Sequence, residues 1–400
     1  MNTLNIFQMG NKEIHWYHRP SVLILIWLLA GVISGLKQYL LSDIHSHVNN
    51  FVIFKSSTGH FFNQMPLYLE YPKEYFDLYL YGPVFAILIA PFSLMPLGLS
   101  VVIWNLCNSL ILYNAIQHLP IRLDQRASIL WIILNSAITA LLNTQFHGLC
   151  ISMILWSYIY VHRGRDFWAA CLIILGILIK FYGIVGLAFF FFSKTRFRFF
   201  YYLLFWLVIW GITPMILGGF KYGIQAYYDW IGILTHKNEL NINIQNVRTD
   251  VCVMGMFRRI FGDANLSNLW FLIPSMLLNV IVYFQPAKWG RIEFQLRILA
   301  FVTLYLMLAS TGTESPTLIM AFPGVGLWFI LGPKNKFRWS LLFITLLISS
   351  FSPTDLFPRY IREAYINQYA LLILPLWIVW CVLAYDLWAD DSTSVSITEK

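Results

Sequence analysis

Three carboxylates fall within eight residues in the stretch that contains Glu70, Glu74 and Asp77, set among Tyr68, Tyr71, Tyr75, Tyr79 and Tyr81. A carboxylate held against an apolar surface has its pKa raised toward the range in which it can take a proton from a hydroxyl. Glu70, Glu74 and Asp77 are therefore candidate general bases, Asp77 first because it directly precedes an apolar, proline-bounded segment. The tyrosines could stack on sugar faces or lie in a headgroup belt, the commoner role. A fourth acid, Glu314, stands between two apolar runs, where it must point into a wet cavity or meet a base such as Lys180. Lys180 and Arg248, with Arg258 and Arg259, are the cations suited to phosphate, although lipid headgroups are the plainer partners of the last two. Asp250 closes a polar run from Asn241 that cannot lie in lipid. Gln145 and His147 sit at a polar turn and are candidate substrate contacts. The chemistry these types suggest is proton abstraction from an acceptor hydroxyl beside a phosphate leaving group. The chain has no Walker loop, GxGxxG, HExxH or GxSxG, so the reactivity must come from an activated substrate.

These residues have to be positioned by a chain that is mostly apolar. Of 400 residues, 58% are hydrophobic, 18% aromatic and 12% charged, and the mean hydropathy is +0.65. Soluble domains of this length are not composed that way, so the reading is an all-α polytopic membrane protein. The net charge of +8 sits in short basic clusters between apolar runs, as in cytoplasmic loop anchors, which excludes a nucleic-acid face. Five scattered cysteines without a CxxC pair support neither a disulfide framework nor a zinc site.

Basic residues in short loops stay in the cytoplasm. Lys12 and Arg19 place residues 1–20 inside, and residues 21–41 form a retained first span rather than a cleaved signal. Arg122/Arg126, Arg163/Arg165, Lys194/Arg196/Arg198, Lys288/Arg291/Arg297 and Lys334/Lys336/Arg338 mark further cytoplasmic loops. An even number of crossings must separate neighbouring clusters. That requirement makes residues 81–95, flanked by Pro83 and Pro96, an interfacial helix within a long first external loop, 42–96. A second external loop covers 219–266, residues 388–400 are a cytoplasmic tail, and about twelve spans complete a single membrane domain, 1–400. Residues 167–192 read as a helical hairpin that brings Lys180 near the outer face. Of nineteen Asp and Glu, eleven fall outside in this topology, so the chemistry faces outward.

The order of features resembles a family. The acidic loop after the first span, the short helix after Tyr81-Gly82-Pro83, Trp104-Asn105, the turn at Asn143-Thr144-Gln145, the Arg163-Gly164-Arg165 loop and the hairpin from Gly176 to Lys180 are together similar to GT-C type membrane glycosyltransferases that depend on polyprenol-phosphate sugars. Glycosyltransferase family 87, the mannosyltransferase-like proteins, is the nearest match. The resemblance implies a GT-C fold and inverting transfer of a hexose such as mannose from polyprenyl phosphate to a lipid or glycan acceptor. It implies no nucleotide-sugar site, and a place in a bacterial inner membrane with activity on the external face; no cofactor is expected and no residue is singled out as a metal ligand. It also implies an Asp followed by an aromatic residue as base in the first external loop. Here Asn50 precedes Phe51, and an amide cannot accept a proton, so Asn50 is left with a substrate contact. The base then falls to Asp43, Glu70, Glu74 or Asp77, with Glu314 a further candidate. The alternative is a lipid-linked oligosaccharide flippase or polar-solute transporter, which expects charges deep in the spans.

Overall fold

The structure, a computed structural model, describes residues 15–41 and 47–389, and among these the chain is helical without strands. Asp43, most of the amino-terminal segment and nearly all of the carboxy-terminal tail lie outside the described residues. In chain order the helices are α1 (Pro20–Leu40), α2 (Asn49–Phe62), α3 (Pro83–Leu88), α4 (Ala90–Ser93), α5 (Leu97–Gln117), α6 (Leu123–Leu142), α7 (His147–His162) and α8 (Asp166–Lys180). They continue with α9 (Arg196–Gly218), α10 (Phe220–Asn241), α11 (Val253–Phe261), α12 (Leu269–Tyr283), α13 (Ile292–Ala309), α14 (Phe322–Leu331), α15 (Lys336–Thr345), α16 (Arg359–Ile361) and α17 (Leu374–Ala389). Six helical segments among the described residues are long and apolar enough to cross a membrane: α1, α5, α6, α9, α13 and Leu371–Ala389. In lipid, every backbone N–H must be satisfied within its own segment, which is why such runs can only be helices.

Local chemistry sets the ends. Pro20 opens α1 in the first turn, where its missing N–H leaves no bond unmade. Gln125 closes the start of α6 by accepting the Arg122 backbone N–H at 3.1 Å. The Asn335 side chain accepts the Arg338 N–H at 2.9 Å and so caps α15. Between spans, small residues allow close approach. A Cβ on Gly35 of α1 would meet Val102 Cα of α5 at 2.8 Å, and one on Gly31 would meet Leu106 Cα at 2.9 Å. The two helices therefore pack backbone to backbone, which is how helices associate where lipid removes the hydrophobic incentive.

The connections sort the ends of the bundle. Arg122 precedes α6, Arg163 follows α7, Arg196 opens α9, Arg291 precedes α13 and Lys336 opens α15, so these basic residues share one end. The carboxy termini of α6, α8 and α13 and the amino terminus of α7 share the other. After α8 the chain reverses at Phe181, whose φ of +38° is left-handed, and returns as a 3-10 helix, Tyr182–Phe192. Gly183 makes the reversal tight, since a Cβ there would stand 2.5 Å from the Gly176 carbonyl carbon.

Two segments differ from the expected loops. Residues 47–96 hold α2 and two short helices rather than one interfacial helix, because Pro91 cannot donate to the α3 ladder and a new turn starts at Ala90. Residues 219–266 hold α10 and α11. Lys221, Asp229, His236, Lys237 and Glu239 give α10 the composition of a loop, yet its buried residues Gly223, Ala226 and Trp230 follow helical spacing.

Candidate functional site

At the end away from the basic residues, a cavity of about 360 Å³ is enclosed by segments far apart in sequence. Asn50 comes from α2, Asp77 and Tyr81 from the stretch before α3, Gln145 and His147 from the turn into α7, and Lys180 and Tyr182 from the reversal after α8. Lys237, Asn238 and Asn241 come from the last turns of α10, and Ser310, Thr311, Glu314 and Thr317 from the link after α13. Two carboxylates and two lysines thus face one space.

Each wall has its own support. Tyr81 reaches the end of α8 because the Gly82 N–H donates to the Ile179 carbonyl at 2.9 Å. Only glycine fits there, since a Cβ would lie 1.8 Å from the Leu178 carbonyl oxygen. The turn before α7 is held by side chains. Trp104 donates to the Thr144 carbonyl at 3.1 Å, Asn105 to Leu141 at 3.0 Å and Asn50 to Asn143 at 2.9 Å. This explains the Trp104-Asn105 pair: from α5 it fixes the turn that carries Gln145 and His147.

His147 does not cap α7. Its Nε2 accepts from Lys180 Nζ at 3.0 Å, which places the imidazole proton on Nδ1, a buried atom with no protein partner. The Lys180 ammonium also lies 5.0 Å from the Tyr81 ring centroid and 5.3 Å from that of Tyr182. Aromatic faces and a neutral imidazole keep the cation in place without neutralising it. Asp77 has a left-handed backbone, φ +71°, which Asp tolerates better than most residues. Its carboxylate accepts from Lys237 Nζ at 2.8 Å and joins the loop before α3 to α10. Thr311 donates to Asn238 at 2.6 Å and ties the link after α13 to the same helix.

Glu314 makes no salt bridge among the described residues. Burial pushes its carboxyl above the ordinary value of 4.5. Lys180 is the strongest opposing influence, followed by Lys237; Asp77 adds to the rise. Its backbone rather than its carboxylate anchors it, the Glu314 N–H donating to Thr317 Oγ1 at 3.3 Å. A half-buried carboxylate that faces a cavity and whose pKa is raised by burial is suited to take a proton. The other carboxylate, on Asp77, is held in an ion pair.

Several of the expected site residues lie elsewhere. Glu70 is exposed and does not line the cavity. Glu74 is bound to His60 Nε2 at 3.1 Å, away from the cavity wall. Arg248 is exposed outside the lining, although its charge still acts on Glu314. Asp250 and Arg258 form a buried pair, 2.7 Å from Nη2 to Oδ2, and Arg259 donates to the Asn246 carbonyl at 3.0 Å. Asp250 and Arg258 therefore satisfy each other inside the protein, Arg259 is held by backbone carbonyls, and none of the three lines the cavity. Their effect on the cavity is through the backbone: the Asp250 N–H donates to the Thr311 carbonyl at 3.0 Å and the Val251 N–H to Thr313 at 2.9 Å. Lys237, Tyr182 and the α10 asparagines were not foreseen. For the α10 residues the signal was available in the mostly polar run at 235–241, which has no Gly or Pro to break a helix. Among the described residues, no group of three or more His, Cys, Asp or Glu is placed to hold a metal ion.

The fold and the cavity define the class: an integral-membrane helical protein with a charged chamber at one end of its bundle. The family model for glycosyltransferase family 87 matches residues 79–311, more than half of the chain and most of the chamber wall, and the chain belongs to that family. It is a membrane glycosyltransferase. Among solved structures, the crystal structure of ArnT from Cupriavidus metallidurans bound to undecaprenyl phosphate is similar at 12% identity and a TM-score of 0.39, over 92% of this chain and 77% of that one. No curated protein matches the sequence.

Proposed function

We propose that this chain transfers a hexose, with mannose the first candidate, from a polyprenyl-phosphate donor to a hydroxyl of a lipid or glycan acceptor, with inversion at the sugar carbon. The observation that carries this reading is the meeting of Asp77, Glu314, Lys180 and Lys237 in one cavity. The donor class follows from what the family resemblance implies, and Lys180 is the group suited to its phosphate. A compact ammonium held by aromatic rings gives a fixed point charge for the oxygen on which negative charge builds.

In the step itself, the acceptor hydroxyl oxygen attacks C1 of the hexose, the C1–O bond to phosphate breaks, and polyprenyl phosphate leaves with the bonding pair. Glu314 takes the hydroxyl proton. Asp77 and Lys237 position the loop before α3 against α10 and close that side of the chamber. Glu314 is preferred to Asp77 as base because its carboxylate is not held by a neighbouring cation. In this reading the basic end is cytoplasmic, as the positive-inside rule favours, and the chamber opens on the external face of a bacterial inner membrane. The transporter reading has less support, since Lys180 stands at the end of α8 rather than in the middle of a span.

The test is transfer from radiolabelled polyprenyl-phosphate hexoses by purified protein with a lipid extract as acceptor. Transfer from one of these donors, lost in Glu314→Gln, supports the proposal. Full activity in both Glu314→Gln and Asp77→Asn removes the assigned roles.

A further inference from the structure

The chain carries a second charged cavity, at the basic end of the bundle. It measures about 1040 Å³ and is built from residues 161–164 after α7, 191–198 leading into α9 and 286–295 leading into α13. Arg163, Lys194, Arg196 and Arg198 line it, and no carboxylate does. The two acids nearest in sequence do not line the cavity: Asp166 is buried and accepts the Ser193 and Thr195 hydroxyls, and Glu293 pairs with Arg297 at 2.8 Å. One of the four is pre-organised. The Arg196 guanidinium lies 5.3 Å from the Trp289 ring and 5.6 Å from Phe191, and it spends one N–H on the Phe191 carbonyl at 3.1 Å. Those two rings stack at 4.6 Å and form an apolar wall beside the cations. The first turns of α9 and α13 open beside the cavity, adding unsatisfied backbone N–H groups to the positive potential.

Four cations next to an aromatic wall match an amphiphile whose polar end is anionic. The flank makes the choice between a lipid and a free anion: α9 is a candidate span with only 11% of its apolar window buried, and Phe197 at the cavity edge is 86% exposed. A soluble phosphate has no use for that surface, whereas acyl chains do. We infer that this cavity holds the phosphate headgroup of an anionic membrane lipid, with its acyl chains along α9. The site lies at the opposite end from the chamber and does not depend on the glycosyl-transfer reading.

The experiment is native mass spectrometry and thermal melting of the purified full chain in mixed micelles of phosphatidylglycerol or phosphatidylcholine, with an inorganic phosphate arm. The expected result is retained phosphatidylglycerol adducts and a higher melting temperature with that lipid alone. In Arg163→Gln/Arg196→Gln/Arg198→Gln the affinity falls by roughly tenfold or more, while Arg359→Gln/Arg362→Gln, basic residues outside the cavity, leaves it unchanged. Equal melting of the triple variant and wild type in phosphatidylcholine shows that the fold is kept. If the triple variant fails that check, Lys194→Gln alone must lose adducts for the inference to stand. Equal affinity in the variants, equal effects of the two lipids, or the same stabilisation by inorganic phosphate would overturn it.

Discussion

Glu314→Gln separates chemistry from architecture. The amide keeps the shape, and the anchors of this residue are backbone groups, the N–H to Thr317 Oγ1 and the carbonyl that accepts from the Thr317 N–H. What is lost is the proton acceptor, so the rate should fall by roughly 10²- to 10⁴-fold, the range for removal of a general base. Its pKa, raised by burial, adds a second signature. Wild-type kcat/KM should rise with pH through the raised Glu314 pKa, above 4.5, and the variant should lack that rise. Stability moves the other way. The folded state holds the Glu314 proton at pH values where the unfolded chain has released it, so this group lowers stability as pH climbs from the unfolded value through the folded one. Above that window Glu314→Gln should melt at a higher temperature than wild type. Steady-state transfer from a labelled polyprenyl-phosphate hexose across pH 5 to 9, with melting curves at the same points, reads both signatures. A variant within about threefold of wild type, or one that keeps the pH rise, refutes Glu314 as base and moves the role to Asp77.

The remaining predictions concern positioning and packing. Lys180→Gln removes a charge-assisted bond to phosphate and should lower kcat/KM for the donor by roughly 10- to 150-fold, with the fold intact by circular dichroism. Arg258→Gln leaves Asp250 buried without its partner and should destabilise the protein by about 3–5 kcal/mol in detergent melting. The double variant Arg258→Gln/Asp250→Asn should recover part of that loss. Gly35→Val drives a side chain into the α5 backbone and should cost about 1–3 kcal/mol in the same assay, whereas Gly59→Ala, where a Cβ meets nothing within 4 Å, should cost far less.

The long spans were legible because their hydropathy is unbroken over the length of a membrane crossing, and the basic clusters ordered them. The acidic and basic residues of the chamber were legible for a related reason: an ionised group beside an apolar run is expensive unless it faces water. Asp77, Glu314 and Lys180 were found in this way, and they line one cavity. Lys237 was not, because α10 carries enough charge to pass for a loop and its buried residues are only Gly223, Ala226, Trp230 and Asn241. The helix α2 was hidden for the same reason, since Lys55, Ser56, Ser57, Thr58 and Gly59 interrupt its apolar face. Asp250 shows the limit from the opposite side: a polar run at a helix boundary reads as recognition, and only the fold reveals that Arg258 sits against it. Pairing across the chain is a tertiary fact, which residue spacing does not encode.

The central claim is that the donor phosphate sits against Lys180 in the chamber that also holds Glu314. Photolabelling with a polyprenyl-phosphate analogue carrying a diazirine next to the phosphate, followed by peptide mapping of the full chain in nanodiscs, tests it most directly. Labels on the chamber segments 77–82, 143–147, 180–182 and 310–317, reduced in Lys180→Gln, are the predicted result. Labels confined to the basic cavity at the other end of the bundle, or unaffected by Lys180→Gln, would contradict it.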